Sequence, residues 1–239
     1  MAPLSRVVLF ILAAAVFVAG FFAFLVYERN QVQAQEPVGL GQTASAGALI
    51  RYDFNFVDPV YRHDLNNNEI GSLRSDGQSS EDGRISGLTI ADFNLDSSYR
   101  LDYDHSWVKS EYSLWLEEVT VRFAYKSIVV YVTRDFAEGS CAYQATLDHE
   151  KGHVDIHRRL YLKYQQALRQ TLEKNPAFSD QDHPVTAASL EAGKAQLDQE
   201  ISSVLDPVFQ QFRQELADEQ SQLDTPQNYL TLHNQCSTW

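Results

Sequence analysis

The sequence predicts an α+β domain in which a β-sheet carries a long antiparallel helical hairpin, preceded by an N-terminal transmembrane or signal helix. Three observations lead there. An uncharged apolar run, Val7–Val26, opens the chain. Residues 49–133 carry period-two and β-branched patterns, and residues 142–216 switch to a period of three to four. The 239-residue chain is 44% hydrophobic and 21% charged, a globular composition. Its 19 Lys and Arg against 32 Asp and Glu give a net charge of -13, and no basic patch interrupts that field. Binding to nucleic acid is excluded on this ground, because a phosphate backbone would be repelled.

As a helix, Val7–Val26 is about 30 Å long, enough to cross a bilayer, and longer than the usual core of a signal peptide. A signal-peptidase site after Ala34, with Val32 and Ala34 as its small residues, is the alternative. Either reading exports the body. The chain is then a single-pass protein facing the periplasm or exterior, or a secreted or periplasmic protein after cleavage. The expected organisation is a membrane anchor or signal over 1–28, a flexible tether over 29–48 and an extracytoplasmic domain over 49–239. Cys141 and Cys236 can form one disulfide in such a compartment, tying the C-terminus to the start of the first long helix; two core thiols are the alternative.

Along the body, Leu49–Val57 alternates around Tyr52, Phe54 and Phe56 and reads as a strand limited by Pro59. Asn66–Gly83 reads as a surface loop. Ile85–Leu95 and Tyr99–Tyr103 read as two short strands, and Glu117–Thr133 as the strongest strand, central or half-buried. Ala137–Ser140 turns the chain. Ala142–Lys174 is a helix with a stripe through His149, His153, Ile156, Leu160, Tyr164, Ala167 and Leu168. After a Ser/Asp-rich loop, Thr186 is expected to cap a second helix. Its stripe runs through Leu190, Leu197, Ile201, Val204, Val208, Phe212 and Leu216, with Pro207 kinking or dividing it. Leu223–Trp239 reads as a turn-like tail.

The chemistry lies in His149-Glu150-Lys151-Gly152-His153. Residues four apart on a helix stand one above the other, so both imidazoles can reach one ion, and imidazole is a good zinc donor. Glu150 lies next to that face, where a carboxylate can act as general base on a water without itself being a ligand. A catalytic zinc needs a third protein ligand. The expected disulfide brings His233 towards the start of the motif helix, which makes His233 the leading choice. Glu215 and Glu219 follow, because a helical hairpin returns Phe209–Glu219 beside His149. Glu173 has a spacing known from Glu-ligated peptidases, but the unbroken helix carries it away from the site. His157 stands about 12 Å from His149 along a straight helix and reads as a surface or supporting group. Asp148 and Asp155 read as supporting carboxylates or a solvated face. Tyr229 would reach the site if the tail closes on it.

The motif resembles the HExxH signature of the zincin superfamily, mostly metallopeptidases. That resemblance implies His149 and His153 as zinc ligands, Glu150 as catalytic base, a small zincin-like domain and a peptide or protein substrate. The metzincin extension fails, with Ile156 in place of Gly and Arg159 in place of His. The export signal, Cys141 before the motif and the His-containing tail resemble a bacterial family of predicted secreted zinc-dependent proteases, long carried as a domain of unknown function. That likeness implies an edge strand near Ile128–Thr133 beside which an extended peptide lies. The alternative reading is a non-catalytic envelope binding or assembly protein with a structural zinc. No oligomeric state is legible.

Overall fold

The computed structural model describes residues 42–44, 47–73, 85–174 and 178–239. Val7–Val26, the cleavage site after Ala34 and most of the expected tether lie outside the described residues. Among the described residues no helix is long and apolar enough to cross a membrane.

The sheet is organised around one strand. The strands are β1 (Gln42–Ala44), β2 (Leu49–Asn55), β3 (Val60–Arg62), β4 (Gly87–Ser106), β5 (Glu111–Val132) and β6 (Val185–Ala187). The helices are α1 (Asn67–Gly71), α2 (Cys141–Lys174), α3 (Leu190–Leu223) and α4 (Pro226–His233). β4 pairs antiparallel with β5 along its whole length. The opposite edge of β5 is shared by β6 at residues 112–114, by β2 at 118–124 and by β3 at 129–131, the last two parallel. β1 adds to β2, so the sheet begins inside the stretch read as tether.

A 22-residue strand keeps one apolar face only if its twist is corrected. Two register shifts in the β4–β5 ladder, at Asp92/Phe93 and Arg100/Leu101, leave Lys126 and Glu117 as extra residues on β5. Each bulge resets the alternation. Leu114 and Leu116, then Val119, Val121, Phe123 and Tyr125, then Ile128, Val130 and Val132 therefore all point to the same buried side. The other face is polar and carries cross-strand ion pairs such as Arg122–Asp53 and Arg51–Glu118. β4 reads as two short strands in the sequence because the polar Asp96-Ser97-Ser98 separates its two apolar stretches.

α2 and α3 pack side by side on the apolar face. Gly139, at φ +76°, turns the chain, and Ser140 caps α2 by accepting from the Tyr143 amide on Oγ. Val154, Leu160, Tyr161, Tyr164, Leu168 and Leu172 of α2 meet Leu197, Ile201, Leu205, Phe209 and Phe212 of α3 over the sheet. Leu205 and Phe209 are buried more deeply than the expected Val204 and Val208. Two expectations are corrected at α3. Its cap is Ser189, because Thr186 pairs with Ser113 in β6. Pro207 does not divide the helix, which runs on to Leu223. The tail is helical too: Thr225 caps α4, whose first residue is Pro226. Cys141 and Cys236 are joined, consistent with an extracytoplasmic environment.

Ile128–Thr133 is not an edge. It lies between β4 and β3, and among the described residues the strands with a single partner are β4 and the three short strands β1, β3 and β6. The continuous β-branched run suits this doubly covered position, where both neighbours are backbone.

α3 approaches the sheet closely at Gly193, where a Cβ would overlap the side chain of fully buried Leu114. Gly193→Ala is expected to destabilise the fold by about 1–3 kcal/mol. Chemical denaturation measures this, and an unchanged midpoint would contradict the close packing.

Candidate metal centre

The site forms where the C-terminal end of α3 meets the third and fourth turns of α2. His149 and His153 project from α2 with ring centroids 5.0 Å apart. Both side chains are largely buried, at 7% and 10% exposure. Asp224 follows α3 as its C-terminal cap, its backbone N–H donating to the Gln220 carbonyl. Its Oδ1 lies 3.1 Å from Nε2 of His149 and 3.1 Å from Nε2 of His153. The ligand atoms of the three residues all lie within 4.8 Å of one another. Zinc bonds of about 2.0–2.1 Å at tetrahedral angles set ligand atoms about 3.3 Å apart, so two imidazoles and a carboxylate in this spacing fit zinc. The arrangement matches an HExxH zincin-type metal-binding triad.

No family model, curated protein or solved structure matches the chain. The zincin-type triad is therefore recognised from its own chemistry: His149 and His153 four apart on one helix, Glu150 between them in sequence, and Asp224 from a second helix. It is consistent with metal-activated catalysis, as in zincin peptidases.

Close packing brings Asp224 into range. A Cβ on Gly152 would stand 2.9 Å from Cδ2 of Leu223, so the glycine of the motif makes room for the residue next to the third ligand. Farther along the pair of helices, Arg159 pairs with Glu219, and Lys163 with Glu215. Glu215 also accepts from the Tyr164 hydroxyl, 2.6 Å away. These pairs occupy the two acidic residues favoured from sequence.

His233 is not in the triad. It ends α4, where its ring stacks on Trp239 and its carbonyl accepts from the Trp239 indole N–H. The disulfide does draw the tail to α2, but the residue it delivers to the site is Tyr229. The Tyr229 hydroxyl donates to Oδ1 of Asp224 at 2.8 Å, and its ring lies 5.3 Å from that of His149. Glu173 is in the last turn of α2, distant in sequence along the helix from the motif. Asp148 is exposed beside Gln144 and Lys151, and Asp155 is exposed.

His157 is a core residue rather than a surface one: its Nδ1 lies 3.0 Å from the Tyr125 hydroxyl. Burial, with the nearby His153 charge, pushes its pKa down to about 4, so it is neutral in the fold.

Glu150 is 5% exposed. Burial raises the pKa of its carboxyl, opposed by the charge on His153, the Thr89 hydrogen bond and the charge on His149. The Thr89 hydroxyl donates to Oε2 at 2.8 Å. The other oxygen faces Gly87, where a Cβ would stand 2.5 Å from Oε1. Two residues of β4 thus cradle the carboxylate, and nothing in the motif itself points to them.

The metal-free charges are balanced within the triad. Burial disfavours an imidazolium at His153, but the hydrogen bond to Asp224, the Glu150 charge and the hydrogen bond to Gln220 outweigh it, and the pKa lies above the ordinary 6.5. Burial likewise disfavours the Asp224 carboxylate, yet hydrogen bonds from His149, His153 and Tyr229 hold it well below the usual range.

A metal at Nε2 of His153 competes with a proton for the same lone pair. Zinc affinity is expected to fall as pH drops through the raised His153 pKa, with proton release on binding. Calorimetry in buffers of different ionisation enthalpy reads this, and binding without proton release would count against it. About one zinc per chain is expected. Asp224→Ala should weaken binding by more than about 100-fold, beyond the effect of losing an outer partner, while His233→Ala leaves it unchanged. The reverse pattern in a chelator competition would move the third ligand to the tail.

Proposed function

We propose that the chain is an extracytoplasmic zinc-dependent peptidase that hydrolyses peptide bonds with Glu150 as general base. The observation that carries this reading is the placement of a buried carboxyl directly beside a triad whose Asp224 oxygen lies 3.1 Å from each imidazole Nε2. His149, His153 and Asp224 would hold the ion, which when bound supplies Lewis acidity towards a carbonyl and a water. Thr89 holds Oε2 of Glu150 in place. Oε1, facing Gly87, takes a proton from water and passes it to the leaving amine. The raised pKa of the buried carboxyl makes it a stronger base than an exposed glutamate.

A peptide substrate fits the one-sided pairing of β4. The strand that cradles Glu150 has a second edge on which an extended chain can add as a further strand, next to the base. A single-pass anchor at Val7–Val26 would keep the body at the outer face of a membrane, in keeping with the disulfide. A structural zinc is the second reading. It is favoured by the Tyr229 hydroxyl, which brings a fourth polar group to the triad at 2.8 Å from Oδ1 of Asp224.

Glu150→Gln separates the two. Zinc content should stay at one per chain while cleavage of an unfolded protein substrate falls to background. Undiminished cleavage removes Glu150 as base, and a zinc-loaded wild type inert on every peptide tried favours the structural role. Gly87→Ala should also keep zinc and lower turnover, by up to about 100-fold, because its methyl would displace the carboxylate. Full turnover in that variant would show that the cradle has no catalytic part.

A further inference from the structure

We propose that Gln220 is a positioning residue of the metal centre, which keeps the His153 proton on Nδ1 so that Nε2 is presented to the ion. The inference rests on the zinc reading of His149, His153 and Asp224.

Two contacts of a single side-chain amide carry it. The Gln220 Nε2 group donates to the backbone carbonyl of His153 at 3.5 Å. Its Oε1 forms a close hydrogen bond with Nδ1 of the same residue. A carbonyl oxygen only accepts, so the NH₂ end of the amide must face it. The oxygen end is thereby turned to Nδ1, and an amide oxygen also only accepts. Nδ1 must then carry a proton. A neutral imidazole protonated there has its lone pair on Nε2, the atom 3.1 Å from Oδ1 of Asp224. The opposite amide orientation would set oxygen against oxygen at the carbonyl. The backbone of α2 thus fixes the amide, and the amide fixes the ring.

The placement is symmetrical between the helices. His149 and His153 are one turn apart on α2, and Gln220 and Asp224 are one turn apart at the end of α3. Each helix gives two residues to one face of the site, three reaching the ion and the fourth holding one of those three. A neutral amide suits this fourth position. A carboxylate would accept the same hydrogen bond, but would add a third negative charge beside Glu150 and Asp224, both of which already act on His153.

The test uses the full chain and zinc alone. Gln220→Met keeps the length of the side chain without an acceptor, and Gln220→Glu restores an acceptor. Zinc affinity by chelator competition should fall about 10–100-fold in the Met variant and recover in large part in the Glu variant. Long-range proton–nitrogen NMR of histidine-labelled, zinc-loaded wild type should place the His153 proton on Nδ1. Circular dichroism checks that each variant is folded. Wild-type affinity in the folded Met variant, or a His153 proton on Nε2 in the loaded wild type, overturns the proposal. If the Met variant does not fold, the NMR tautomer of the wild type decides alone. If the wild type takes up no zinc, the zinc reading fails and this inference with it. Zinc uptake that ignores Gln220 fails the inference only.

Discussion

The site depends on the register between two antiparallel helices. Moving one turn towards the N-terminus of α2 moves one turn towards the C-terminus of α3, through Lys163–Glu215, then Arg159–Glu219, then His153 with Gln220 and Asp224. Exposed ion pairs of this kind contribute about 0–1 kcal/mol each, so they do not hold the helices together. The apolar seam of Leu160, Tyr164, Phe209 and Phe212 does that. A slip of one turn would keep one basic residue opposite an acidic one and lose the other pair, while withdrawing Asp224 from both imidazoles.

The sheet supplies the other half of the constraint. β5 is straddled by four strands, and its two bulges keep nine apolar side chains turned towards the helices. α2 is thereby pressed against β4 at Gly87 and Thr89, and Glu150 is buried between them. The triad comes from helices and the cradle of Glu150 from a strand. The Glu150 carboxyl and the triad are positioned by different contacts, although His149 and Glu150 are adjacent in sequence.

The motif and its helix were legible because the period of α2 and the chemistry of His149, Glu150 and His153 coincide on one face. The paired cysteines were legible from compartment and count. Asp224 was not. It is one of 32 acidic residues, and its part depends on how far α3 extends past Glu219. That is set by the connection between the helices, where Val185–Ala187 joins β5 as a strand too short to show any period. The sequence reading stopped at Glu219, a little over a turn short. The edge strand was misplaced for a related reason. Ile128–Val132 has the β-branched continuity of a doubly covered strand, but its neighbours are set by long-range pairing with Val60–Arg62 and Gly87–Ala91.

The disulfide has a consequence before any helix has packed. Cys141 and Cys236 enclose His149, His153, Gln220, Asp224 and Tyr229 in one covalent ring. In an unfolded but oxidised chain, the shortest covalent path from His149 to Asp224 runs through the sulfur bridge, roughly twenty residues instead of about seventy-five. Local concentration falls as about the three-halves power of path length, so the bridge raises the encounter of these two ligands roughly sevenfold. Oxidation thus turns a long-range meeting into a nearly local one, and an ion captured early would act as a second cross-link within the first.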